Sequence, residues 1–267
     1  MRTALPLCLI LLAGPVQAQW EATGVEVDVE LVLAVDVSRS ISSEELAIQR
    51  LGYAAALTSP EVLTAIGDGL VGRIAVTYIE WAGAHIQRTV IDWTLIETPE
   101  DAQGFADAIL ANTLGTMRRT SISGALSYSA AAFQDNGFDG LRQVIDVSGD
   151  GPNNEGRPVT QVRDEVVAQG ITINGLPLLT SSGGFQHLPD LDLYYRDCVI
   201  GGPLAFVIAV TSWEQFAEAV RRKLVMELAG LPPDAFGDSA PQVLPASDGG
   251  GYDCMIGERM WNRGRTF

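Results

Sequence analysis

Two short acidic loops, Asp36-x-Ser38-x-Ser40 and Asp150-Gly151, carry the side chains best suited to chemistry in this 267-residue chain. Carboxylates and hydroxyls are hard oxygen ligands, and an octahedral oxygen set suits Mg²⁺ or Mn²⁺. The one-residue spacing of Asp36, Ser38 and Ser40 lets a turning loop aim alternate side chains at one point. Two carboxylates balance a divalent charge without filling six positions, so a vertex stays open for an incoming ligand. A third segment, Arg119-Thr120-Ser121-Ile122-Ser123-Gly124-Ala125-Leu126, adds hydroxyls at the start of a helix. Each loop also has a plainer reading. Asp36 could cap the following helix while Ser38 and Ser40 satisfy loop amides, and Asp150-Gly151-Pro152-Asn153 could be only a turn.

The elements that must position these residues follow from hydrophobic spacing. Val25–Val37 begins as an alternating strand and becomes continuously apolar, the pattern of a strand buried on both faces at a sheet centre. It ends at the Asp36 loop. Ser42 or Ser43 then caps a helix running to about Leu57, with Glu44 and Glu45 in its first turn, and Pro60 opens a shorter helix. Arg73–Trp81 and Ile86–Trp93 read as a hairpin around Gly83-Ala84. Helical spacing recurs over Pro99–Ala111, Ser121–Phe133, Pro158–Ala168 and Trp213–Ala229, the last capped by Ser212 and stopped by Gly230. Arg142–Val147, Ile171–Leu178 and Leu204–Val210 read as strands. Strands alternating with helices predict a doubly wound α/β fold with a mainly parallel central sheet, helices on both faces and one antiparallel edge strand from the hairpin. Ligands in such sheets bind beyond the carboxyl ends of the strands, which is where both acidic loops fall.

Composition excludes several classes. A chain that is 47% hydrophobic and 19% charged is globular rather than disordered. Acids outnumber bases 33 to 17, and Lys223 is the sole lysine, so nucleic acid is excluded as a partner. Gly67-Asp68-Gly69-Leu70-Val71-Gly72 matches Gly-x-Gly-x-x-Gly but follows a helix and leads into a strand, the reverse of a nucleotide loop. The chain has no Gly-x-Ser-x-Gly elbow. His85 and His187 lack the spacing of a zinc site, and Ser38, Ser123 and Ser148 have no neighbouring base in the sequence.

Taken together, the spaced parts resemble the von Willebrand factor A domains and their metal-ion-dependent adhesion site. Asp36, Ser38 and Ser40 match its first motif, Thr120 the threonine before a helix, since Ala125-Leu126 follow at the usual distance, and Asp150-Gly151 the last part, with Gly149 where Thr is common. The resemblance covers about Val25 to Gly230. Val144–Asn154 and Tyr194–Cys198 look more narrowly like a group of exported bacterial proteins. It implies a divalent cation held by Ser38, Ser40 and Thr120, with Asp36 and Asp150 bound directly or through water, and a protein partner whose Glu or Asp supplies the last oxygen. By this register Ser121 is the helix cap and Thr120 the ligand. The function so implied is a binding module and not an enzyme. A metal-dependent hydrolase and a structural periplasmic domain with a vestigial site are the alternatives. The ligand types favour Mg²⁺ or Mn²⁺ over Zn²⁺, with Ca²⁺ weaker. Arg118-Arg119 is unusual beside a cation; it is either solvated or meets an acidic partner.

Residues Met1–Ala18 read as a secretory signal peptide: Arg2, an apolar run over Ala4–Gly14, then Val16-Gln17-Ala18 with cleavage after Ala18. Its removal deletes Cys8 and makes the charge one unit more negative. No later segment is apolar enough to span a bilayer, so the mature protein is expected in the periplasm or secreted. Cys198 and Cys254 remain, and in an oxidising compartment they are expected to form one disulfide. Leu231–Phe267, rich in Pro and Gly, reads as an extended C-terminal tail. The disulfide would clasp it across the domain, letting Met255, Ile256, Met260 and Trp261 pack on an apolar strip.

Overall fold

The computed structural model describes residues 24–112, 115–180, 188–230, 243–246 and 251–264. Met1–Ala18, expected to be a signal peptide, and His187 lie outside the described residues. Among the described residues seven strands form one sheet in the order β3-β2-β1-β4-β5-β6-β7. β1 (Val25–Asp36) is the centre: from Val27 onward every residue is buried, as its continuous apolar run requires. It pairs in parallel with β2 (Ile74–Trp81) and with β4 (Phe138–Gly149). β5 (Thr172–Pro177) and β6 (Phe206–Ile208) extend the parallel sheet.

The expected hairpin is present, with β3 (Gln87–Ile96) antiparallel to β2 at one edge. A second antiparallel strand, β7 (Val243–Pro245), covers the other edge against β6. β7 lies in the segment that reads as an extended tail. Its backbone closes an otherwise open edge.

Helices fill both faces. α1 (Ser43–Leu57), α2 (Pro60–Gly67), α3 (Pro99–Ala111) and α7 (Phe216–Ala229) cover one. α4 (Ile122–Ala132), α5 (Val159–Val167) and the short α6 (Leu191–Tyr194) cover the other. Ser42 is the α1 cap: its hydroxyl accepts from Glu45 N–H while the Glu45 carboxylate accepts from Ser42 N–H. Ser212 makes no capping hydrogen bond; a single 3₁₀ turn, Trp213–Gln215, precedes α7 instead. α6 runs into a π-helical turn, Tyr195–Val199, that the sequence does not signal.

The tail is folded. Cys198 and Cys254 are joined in a disulfide, and α8 (Ile256–Gly264) follows it. Ile256 and Met260 pack on the α4–α5 face, but Met255 is exposed and Trp261 meets an arginine described below. Among the described residues, no helix is long and apolar enough to cross a membrane.

Candidate metal centre

The strand order reverses between β1 and β4: β2 and β3 lie to one side, β5 to β7 to the other. A crevice opens at such a switch point, and the register pairs Val35 with Ser148 there. Asp36, the last residue of β1, and Asp150, just past β4, therefore emerge side by side. Asp36 is fully buried, and its Oδ1 accepts from Ser38 N–H at 2.6 Å, which bends the loop back on itself. The Ser38 and Ser40 hydroxyls are 2.9 Å apart, and Ser40 donates to Asp150 Oδ1 at 2.8 Å. Asp36 Oδ2 is buried and has no hydrogen-bond partner.

Thr120 reaches this point through two asparagines. Its N–H donates to Asn154 Oδ1 at 3.2 Å, and its carbonyl accepts from Asn154 N–H at 2.9 Å. Asn153 Oδ1 accepts from Ser123 N–H at 3.0 Å, so the start of α4 is tied to the loop after β4. Ser121 is the α4 cap, accepting from Gly124 N–H at 3.1 Å, which leaves Thr120 one residue outside the helix. Thr120 lines a cleft of about 400 Å³ together with Ser38 and Ser40. Thus Asp36, Ser38, Ser40 and Asp150 form one linked group, and Thr120 faces the same cleft. Asp150 is not merely a turn residue: it is 8% exposed and its carboxylate is turned inward onto Ser40.

Gly149 has a local cause. A Cβ there would lie 2.8 Å from Tyr195 Oη and 3.0 Å from Asp36 Oδ2. Tyr195, fully buried in the π-helical turn, occupies the space a threonine would need. Its hydroxyl also lacks a partner. Neither Tyr195 nor the Asn153–Asn154 bracket is legible as part of a site; their only signal is that both lie in the segments Val144–Asn154 and Tyr194–Cys198.

Burial sets the electrostatics. Desolvation, and then the Asp150 charge, push the Asp36 carboxyl well above the usual carboxylate range. Burial likewise pushes Asp150 up to about 6, against the Ser40 hydrogen bond. Among the described residues neither of these two desolvated carboxylates has an ion-pair partner. Among those residues no three His, Cys, Asp or Glu side chains gather into a metal-binding group, so a cation here would rest on two carboxylates and hydroxyl oxygens. The orphaned Asp36 Oδ2 and the hard-oxygen set fit such an ion.

Arginines rim the cleft. Arg39 and Arg118 are exposed. Arg119 is not simply solvated: its guanidinium lies 3.8 Å from the centroid of the Trp261 ring and its Nε 3.8 Å from Glu155. The Gly67–Gly72 loop lies elsewhere, and Asp28 accepts from Val71 and Gly72 N–H groups there at 3.0 and 2.8 Å. Its amides are used within the fold.

Solved structures share this architecture. Proximal thread matrix protein 1 from the mussel byssus matches with a TM-score of 0.55 at 17% identity, covering 77% of this chain and 49% of that one. A second structure of it, described as having a zinc-occupied MIDAS motif, matches at 0.54 and 16%, again over 77% and 49%. The von Willebrand factor type A protein from Catenulispora acidiphila matches at 0.53 and 13%, over 76% and 43%. The pilus adhesin SpaC from Lactobacillus rhamnosus GG matches at 0.52 and 12%, over 79% and 31%. The chain thus spans about half the length of the byssus protein. No curated protein matches it. The fold is that of the von Willebrand factor A domains, and the chain, matched over residues 26–232, belongs to the family described as Protein of unknown function (DUF1194).

Proposed function

We propose that this chain is an exported, metal-dependent protein-binding module. Asp36, Ser38, Ser40, Thr120 and Asp150 would hold Mg²⁺ or Mn²⁺, and a Glu or Asp of a partner would complete the shell. The observation that carries the reading is Asp36 Oδ2, a fully buried carboxylate oxygen without a partner at the mouth of β1. Burying such an atom costs several kcal/mol unless a cation or proton satisfies it. When bound, the ion would supply a concentrated positive charge for a partner carboxylate. The chain's own residues orient the site: Asp150 fixes the Ser40 hydroxyl, Ser38 N–H fixes Asp36, and Asn154 sets the Thr120 backbone. Binding rather than catalysis fits hydroxyls engaged with each other and with a carboxylate, an arrangement that presents lone pairs. The zinc-occupied MIDAS motif of the byssus protein supports a divalent ion in general. The disulfide and the pilus adhesin among the similar folds support export, to the periplasm or beyond.

Titration calorimetry tests this. Mg²⁺ and Mn²⁺ should bind the purified chain, and Asp36→Ala should abolish binding while circular dichroism stays native. Ca²⁺ should bind less tightly. Absence of Mg²⁺ and Mn²⁺ binding sinks the proposal, and Zn²⁺ binding tighter than Mn²⁺ counts against the ligand assignment.

A further inference from the structure

The cleft over the candidate metal centre is basic, in a chain of formal charge −16. Of its seven lining residues, three are Arg39, Arg118 and Arg119. Among the described residues neither Arg39 nor Arg118 has an ion-pair partner, and both are exposed. Arg119 is fixed. It is a non-glycine residue in the left-handed region, at φ 76°, and it is stacked on Trp261 of α8. Backbone held in that region is retained where the surroundings impose it, commonly at functional sites. The surroundings here are the tail: Cys254 is bonded to Cys198, Glu258 accepts from Asn153 at 2.8 Å, and a Cβ at Gly257 would lie only 2.1 Å from the Asn153 carbonyl oxygen. The clasped helix therefore forms one wall of the cleft and holds one guanidinium over it.

Glu155 offsets Arg119, but Arg39 and Arg118 oppose a cation here by Coulomb repulsion. A single incoming carboxylate on the ion would leave both of them unmatched. Several carboxylates arriving together would satisfy the ion and the guanidiniums at once. The cleft, about 400 Å³ and closed on one side by α8, has room for a few side chains rather than an extended polymer track.

We infer that the partner presents a run of adjacent acidic side chains, one for the metal and its neighbours for Arg39 and Arg118, while Arg119 is already paired with Glu155. This inference rests on the metal-dependent reading above. It adds the ligand class: an acidic peptide segment. Arginine suits the role because its planar fork matches carboxylates in pairs.

The test uses the mature, oxidised chain and two end-blocked peptides, Gly-Ser-Asp-Asp-Asp-Ser-Gly and Gly-Ser-Asn-Asp-Asn-Ser-Gly. Both are followed by calorimetry with Mg²⁺ and with EDTA. In Mg²⁺ the three-Asp peptide should bind at least about fivefold tighter than the one-Asp peptide. The Arg39→Gln/Arg118→Gln double variant should erase that preference, and EDTA should weaken both peptides. Mg²⁺ alone is titrated into each protein. If the ion does not bind, the metal-dependent reading has failed. If the ion binds but the peptides bind equally, neither binds, or the variant keeps the preference, the acidic-run inference is overturned while that reading stands. Undiminished three-Asp binding in EDTA overturns the inference, as does a polyuronate binding more tightly than the three-Asp peptide.

Discussion

At position 149 the lack of a side chain shapes the surroundings of Asp36. Tyr195 Oη and Asp36 Oδ2 both press into the space a Cβ would fill. Gly149→Ala should therefore cost about 1–3 kcal/mol by overpacking, since neither neighbour is the far end of a mobile side chain. It should also shift Asp36 and weaken Mg²⁺ binding. Adding Tyr195→Phe removes the hydroxyl and should recover part of the stability. Denaturant melts of the single and double variants decide it; a Gly149→Ala protein as stable as the parent sinks the idea. The ligand types were legible in the sequence because Asp36, Ser38 and Ser40 share one loop. The reason for Gly149 was not, because Tyr195 meets it only through the fold.

At the scale of elements, α7 carries the sole lysine into the core. Lys223 is fully buried, 2.7 Å from Asp146 of β4 and bonded to Glu227 one turn along its own helix. Asn174 of β5 donates to Glu227 at 2.9 Å, Arg142 binds the Glu227 carbonyl, and the buried Tyr53 of α1 lies near Asp146. One ammonium faces two carboxylates, so their combined negative charge is not fully matched. Burial, and to a lesser degree the Asp146 charge, pushes Glu227 up to about 7, against the pull of Lys223. The folded state then binds more protons than the unfolded chain between about pH 4.5 and 7. Stability should fall as pH rises through that window, by at most about 1.4 kcal/mol per unit. Glu227→Gln should flatten that slope in urea melts taken across the window; an unchanged slope refutes the assignment. The periodicity of α7 and its stop at Gly230 are plain in the sequence, but the triad is not, since a lone lysine reads as a surface residue. The same limit applies to strands. The buried half of β4 carries the apolar signal Val144-Ile145 and Val147, whereas Phe138–Gln143 is partly exposed and is extended because β1 pairs with it. β7 has three residues, one of them Pro245, and is extended because it pairs with β6.

For the whole molecule, one covalent bond decides whether the tail belongs to the site. The two cysteines are 56 positions apart, with Cys198 fully buried beneath the α4–α5 face and Cys254 packed against it. Closing a loop of this length restricts the unfolded chain, and in the chain-entropy account this contributes roughly 4 kcal/mol. Reduction should therefore lower stability by about that much. It should also release α8, because Ile256 and Met260 are only partly buried against the domain, and ordering nine residues has an entropy cost that the bond no longer offsets. Arg119 then loses Trp261, and its left-handed backbone loses the neighbour that holds it. None of the five candidate ligands lies on α8, so Mg²⁺ should still bind the reduced chain, while the preference for the three-Asp peptide shrinks. Paired measurements on oxidised and dithiothreitol-treated protein check all three effects: a urea melt, Mg²⁺ calorimetry and peptide calorimetry. Equal stability of the two forms, within about 0.5 kcal/mol, would show that the tail docks without its bond. Loss of Mg²⁺ binding on reduction would instead place α8 in the support of the metal centre, through the Glu258–Asn153 hydrogen bond that reaches the Thr120 loop.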